Sequence, residues 1–279
     1  LVNKILPIVT ATVSEWTAPT PEEFRGTIIP RARPAVLRGL AANWPLVVVA
    51  KRDPLRLSAI LSKSASKRSV DILRADPAED GRFHYSSDGQ SLNFIRGQAS
   101  LPAFLAALDE QSALDRPYAM VVQGLLADAH VPGFSKYHPM PLVPAGVQPR
   151  LWIGNAAKVA THNDPVDNVA VVMAGRRRFT LFPPDAEGDL YMGPADPTPA
   201  GTRVSMVHVT APDLNRYPRF ASALEVGEEG ELFPGDAIFI PRDWFHHVES
   251  LERFNVLVNY WWDAAAETSK PSARQAETT

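Results

Sequence analysis

The sequence predicts a mainly β fold with added helices: a sandwich or barrel in the second half of the chain, preceded by helical segments. Three observations predict it. Beyond Arg150, short apolar or alternating runs recur between turn residues, the texture of closely spaced strands. Before residue 130, apolar residues fall instead at helical spacing behind cap-like residues. The 279 residues are 45% hydrophobic and 21% charged, enough apolar material for a large core.

The opening run LVNKILPIVTATVSEW reads as a strand. Pro7 and the residues Thr10, Thr12 and Ser14 spoil both a signal-peptide core and a membrane span, so a cytoplasmic protein without membrane attachment is expected. At TPEEF, Thr20 can cap a helix, Pro21 suits the first helical position and Glu23 completes a capping box. Asp53-Pro54 repeats that logic before Leu57, Ile60 and Leu61. Ser100 precedes a third helix with Leu101, Phe104, Leu105 and Leu108 on one stripe. SVDIL from Ser69 and LNFI from Leu92 read as strands. The proline-rich passage 124–147 reads as a connection crossing the surface.

From Leu151 the predicted strands are LWIG, KVATH, NVAVVM, RRFTLF, SMVHVT, LEV, DAIFIP, HHVESL and FNVLVNYWW. FPGD at 233–236 places Pro234 and Gly235 at the centre of a type II turn. Residues 264–279 have too few apolar side chains to pack and read as a disordered tail. The expected organisation is one domain over 1–263, with an N-terminal part at 1–149 and the barrel core at 150–263.

Composition narrows the function. With no cysteine, disulfides, thiolate metal sites and cysteine nucleophiles are excluded, and any transition metal must sit on His, Asp or Glu. A net charge of −3 gives no general pull toward nucleic acid or anionic membrane, so a protein, peptide or small-molecule substrate is favoured over nucleic acid.

Chemistry concentrates in ATHNDPVDN, residues 160–168. In extended chain alternate side chains share a face, so His162 and Asp164 converge while Asn163 points the other way. A third ligand can come from His208, His246 or His247, and alternation lets only one of the last two face inward. Two imidazoles and one carboxylate suit non-haem Fe(II), which keeps three positions open, whereas zinc more often takes a tetrahedral set. An H-x-D tripeptide alone is common, so a zinc or manganese isomerase or hydrolase, and a non-catalytic metal-stabilised binding module, stand beside the oxygenase reading.

The linked passages THND, GRRRFTLFPP, PGDAIFIPRDWFHHVES and NVLVNYWW resemble the cupin-like branch of the Jumonji-C (JmjC) proteins, which includes an asparaginyl hydroxylase. The resemblance is specific over 150–263 and looser over PAVLRGLAANWPLV near the N-terminus. It implies a double-stranded β-helix, the cupin or jelly-roll barrel, enclosing Fe(II) and the co-substrate 2-oxoglutarate, with O2 as oxidant and hydroxylation as the reaction. By position it makes His162, Asp164 and His246 the iron ligands, leaving His247 as an outward hydrogen-bonding residue. It puts Arg177 where relatives carry a lysine for the far carboxylate of 2-oxoglutarate, with Arg176 and Arg178 as solvated charges. Asn168 and Asn259 match co-substrate pocket positions, and Trp152, Trp261 and Trp262 core or pocket wall.

The chain departs from the pattern in three places. A threonine usual three residues before the first ligand is Val159, leaving the adjacent Thr161 as a replacement. A tyrosine usual near the far carboxylate aligns with Val121, with Tyr118 three residues earlier. Asn163 stands where tyrosine is frequent. A homodimer, common among such proteins, would need a surface other than helices after the barrel.

Overall fold

The computed structural model describes residues 9–86, 89, 91–199 and 201–263. The predicted tail 264–279 and the first eight residues of the predicted opening strand lie outside these. Among the described residues the strands are β1 (Ala11–Thr12), β2 (Ser14–Thr17), β3 (Ala35–Arg38), β4 (Ser69–Ala75), β5 (Arg82–Phe83), β6 (Phe94–Ser100), β7 (Ala119–Leu126) and β8 (Arg150–Gly154). They continue as β9 (Ala157–Asn163), β10 (Asp167–Ala174), β11 (Arg177–Phe182), β12 (Glu228–Leu232), β13 (Ala237–Ile240), β14 (Phe245–Ser250) and β15 (Asn255–Trp262).

Two sheets form, with strand orders β1-β12-β11-β14-β9-β5 and β2-β3-β13-β10-β15-β8-β7-β4-β6. The eight strands from β8 onward supply four neighbours to each sheet, and the chain passes back and forth between the sheets except at β11 to β12. This is the jelly-roll arrangement of a double-stranded β-helix. Because side chains alternate, β10 sends Val169, Val171 and Met173 into the outer core, and Ala170 and Val172 into the space between the sheets. Both faces are thus buried, which explains the unbroken run NVAVVM.

The outer face of the larger sheet is covered by the helices. Thr20 Oγ1 accepts from Glu23 N (3.2 Å) and Thr20 N donates to the Glu23 carboxylate (3.1 Å), the predicted capping box. Asp53 caps the helix Pro54–Ser64, which buries Leu57 and Leu61 and leaves Ile60 half-buried. Ser100 caps Leu101–Ser112, which buries the predicted stripe. The chain also forms a helix at Pro45–Arg52, which the valine run had concealed: Val47 and Ala50 pack inward from a proline-led start.

Other expectations are corrected. Passage 124–147 does not merely cross the surface; it forms short helices at Ala127–His130 and Phe134–Tyr137 and buries Val131, Phe134 and Leu142 in the main core. SMVHVT is not a strand: it packs Val207 and Val209 against the barrel's outside, and only Ser205 makes a bridge, to Met192. LEV ends the helix Phe220–Val226. The strand that follows, β12, has too little apolar alternation to be read as one, since EEGEL owes its form to pairing with β11. LNFI enters its strand only at Phe94. The FPGD turn is present, with Gly235 at φ 98° and Asp236 N bonded to Phe233 O (2.9 Å).

Candidate metal centre

The centre lies between the two sheets, where β9 and β14 run antiparallel. His162 and His246 are register partners, and so are Val159 and Val248. Between these pairs β9 has two residues, Ala160 and Thr161, where β14 has only His247, which makes a β-bulge. The extra residue lets Val159 and His162 both line the cavity despite their odd spacing. The chain then leaves the strand at Asp164, whose backbone carbonyl accepts from Asp243 N (2.8 Å).

His162, Asp164 and His246 each offer one ligand atom, and these atoms all lie within 4.8 Å of one another. The two rings have centroids 4.4 Å apart. His162 Nδ1–H donates to Ala160 O (2.8 Å) and His246 Nδ1–H to Trp244 O (3.1 Å). A carbonyl can only accept, so both rings carry a proton on Nδ1, and in the neutral form of each ring the lone pair falls on Nε2, as metal-ligating histidines require. Burial lowers the His246 pKa to about 4, with the neighbouring His162 ring adding to the effect and the Asp164 carboxylate opposing it. His246 is therefore neutral at neutral pH. Asp164 Oδ2 lies 3.8 Å from His246 Nε2 and accepts from Trp261 Nε1–H (3.1 Å).

The cavity, about 690 Å³ with the solvent at its mouth included, opens beside Asp164, whose side chain is 24% exposed. Its deeper wall is Phe179, Ile240, Val248 and Leu257; Trp152, Trp261 and Gln123 complete the lining. Arg177 enters from β11 and is fully buried, with no partner for its Nε and no carboxylate in ion-pair range among the described residues. Burial lowers its pKa to about 10, so it remains a cation at neutral pH. Asn168 and Asn259 also line the cavity; Asn259 Nδ2–H donates to Asn168 Oδ1 (3.0 Å), and Asn259 Oδ1 has no partner. Two lone-pair imidazoles, a carboxylate and an unpaired cation in one cavity fit a divalent metal with an anionic co-substrate.

The structure thus brings together His162, Asp164, His246, Arg177, Asn168 and Asn259. It does not bring in Thr161 or Tyr118. Thr161 sits within the bulge, fully buried off the cavity, and its Oγ1 has no partner. Tyr118 is 37% exposed under the Arg74 guanidinium (4.7 Å), and Val121 packs with the cluster around Phe83. His247 does point away from the centre, toward the Val159 backbone, with which its hydrogen bond is weak in geometry, and burial holds the ring neutral. His208 lies outside the barrel against His84, their centroids 4.6 Å apart. Arg178 is not solvated: its side chain is 6% exposed, with carboxylate oxygens of Glu229, Glu231 and Glu249 each 3.6 Å away on the flanking strands. Arg176 is half-exposed and bonds Glu252 and Glu231.

Sequence reasoning missed Gln123 and the Trp261–Asp164 bond. Strand alternation could have signalled the second, since Trp261 shares a face with Asn259, two residues earlier.

Residues 21–268 match the family model described as "Cupin-like domain". Zebrafish (Danio rerio) HSPB1-associated protein 1 homolog is 30% identical over 261 residues, covering 87% of this chain and 54% of that protein. Lysine-specific demethylase JMJ31 of Arabidopsis thaliana is 37% identical over 121 residues, 43% of this chain and 22% of that protein. Mouse (Mus musculus) tRNA wybutosine-synthesizing protein 5 is 38% identical over 102 residues, 37% of this chain and 29% of that protein. The matched regions span about half the length of these relatives or less.

Proposed function

Because this chain belongs to the cupin-like domain family of the JmjC cupins, whose members are Fe(II)/2-oxoglutarate-type oxygenases and demethylases, we propose that it is an Fe(II)- and 2-oxoglutarate-dependent oxygenase that hydroxylates a protein side chain or a small molecule. The observation that carries this reading is the convergence of His162, Asp164 and His246 on one point, in a cavity that also holds the unpaired Arg177.

In this reading His162 and His246 bind the metal through Nε2, and Asp164 adds a carboxylate oxygen. When bound, Fe(II) supplies the O2 chemistry by which 2-oxoglutarate is oxidatively decarboxylated to succinate and carbon dioxide while a substrate C–H bond gains oxygen. Arg177 pairs with the far carboxylate of 2-oxoglutarate, its planar fork replacing a point-charge ammonium. Asn168 and Asn259 present amide groups to the same cavity, where the acceptor-only ligand leaves Asn259 Oδ1 to accept from water. Phe179, Val248 and Leu257 keep the inner end of the cavity dry, which strengthens every polar contact made in it. The open side, between Asp164, Trp152 and Trp261, is where a substrate enters. Hydroxylation of an N-methyl group there would be read as demethylation.

Anaerobic addition of Fe(II) and 2-oxoglutarate should produce a weak visible metal-to-ligand charge-transfer band, and O2 should then convert 2-oxoglutarate to succinate. Full metal occupancy with neither band nor succinate would favour a metal-bearing cupin of another activity, or a binding module.

A further inference from the structure

We infer that Trp261 is a positioning residue of the metal centre, whose indole N–H fixes the Asp164 carboxylate so that it offers one oxygen to the metal. The inference rests on the metal-binding reading of the triad.

Asp164 lies just beyond the end of β9 and is partly exposed, so the sheet does not itself dictate how its side chain turns. Its main chain is tied down by Asp243 N, which leaves the carboxylate torsions to be set by side-chain contacts. The hydrogen bond that sets them comes from Trp261 Nε1 at 3.1 Å, and it falls on Oδ2, the oxygen 3.8 Å from His246 Nε2. Indole is a donor only, so the bond has one polarity. It occupies a lone pair of Oδ2 and resists the rotation that would aim both oxygens at the metal. A two-oxygen carboxylate would fill one of the open positions that the co-substrate and O2 require.

Trp261 is itself held. It projects from β15 into the cavity, beside Asn168 of β10 at the register pair Asn168↔Trp261, and its ring meets Trp152 edge to face with centroids 6.1 Å apart. Such partners of a metal ligand typically change affinity or activity 10- to 100-fold when removed.

The test is Trp261→Phe, which keeps an aromatic ring and deletes the donor, with Trp152→Phe altering the same ring pair but sparing the donor. Co(II) titration of the metal-free protein reads affinity and the visible ligand-field spectrum together. Trp261→Phe should bind Co(II) about 10-fold more weakly or worse, with a changed spectrum, while Trp152→Phe binds within about twofold of wild type and the metal-free melting curves stay superimposable. Wild-type affinity and spectrum in Trp261→Phe overturn the inference, and so does equal weakening in both variants, which would make the effect one of packing. Failure of the wild-type protein to bind Co(II) would instead count against the metal reading itself. Should Trp261→Phe fail to fold, the ¹⁵N-indole spectrum decides: Asp164→Ala must move the Trp261 Nε1–H resonance to higher field, and an unmoved resonance overturns the inference.

Discussion

His162 and His246 face each other across β9 and β14, and each gives its Nδ1 proton to the carbonyl two residues before it in its own chain segment. The backbone thereby sets both tautomers, so the two Nε2 atoms are available without help from any third side chain. His246→Ala should lower metal affinity at least 100-fold by removing a ligand outright. His247→Phe, one residue along but pointing away from the centre, should retain metal to within a few fold. Metal analysis after dialysis against a weak chelator compares the two.

Arg177 is a buried cation without a carboxylate partner among the described residues. Lowering its pKa from the usual guanidinium range to about 10 reflects a penalty on the charged form of roughly 3 kcal/mol. The sign is clear: at any pH below about 10 the folded protein bears that penalty, and it is relieved only as pH rises further or as an anion arrives. Arg177→Met should therefore melt at or above the wild-type temperature without ligand. It should lose nearly all the stabilisation that 2-oxoglutarate gives the metal-loaded wild type. Thermal unfolding with and without 2-oxoglutarate measures both.

Acid should weaken the fold in a defined window. Burial lowers the His208 pKa to about 4, aided by the neighbouring His84 and the positive charges of Arg82 and Lys158, and His84 is lowered as well. Free histidine in the unfolded chain takes its proton near pH 6.5. Between about 6.5 and 4 the unfolded state thus binds more protons, and stability falls as pH drops. His246 and His247 contribute in the same direction. His208→Gln should flatten the decline in melting temperature over that interval, and an unchanged slope would remove His208 from the account.

Thr161 buries a hydroxyl with no partner. Thr161→Val keeps the shape and deletes the polar atom, so it should be neutral or stabilising by about 1 kcal/mol. The KM for 2-oxoglutarate should not change. A rise in that KM would return Thr161 to the co-substrate site.

Gly175 precedes the strand that delivers Arg177 and sits at φ 75°, where an added Cβ would overlap the Asn255 side-chain carbonyl and lie 2.8 Å from Phe254 O. Gly175→Ala should cost about 2 kcal/mol or more. Urea unfolding gives the value.

The motif residues were legible because their relations are local: Arg177 and Phe179 share a face by alternation within one strand, and Asp164 follows His162 closely enough to reach the same point although it lies just past the strand end. The capped helices were legible for the same reason, since Thr20, Asp53 and Ser100 act within three residues of themselves. What escaped is what partners determine. Arg178 reads as a surface charge until Glu231 and Glu249 are placed across from it on two neighbouring strands. SMVHVT alternates like a strand, yet finds only an isolated bridge at Ser205. Thr161 looks like a substitute for the hydroxyl missing at 159 because a bulge leaves no mark in spacing alone.

That bulge makes the reactive end of the barrel a matter of counting. Ala160 and Thr161 together stand where regular pairing needs one residue. Inserting one residue beside His247 would let the ladder close evenly and bring Val159 and His162, three apart, into the ordinary two-face rhythm, with one of them turned out of the cavity. A chain lengthened in this way would still spell histidine, aspartate and histidine in order, and an inventory of its residues would score it complete although its imidazoles and its cavity wall no longer shared a face.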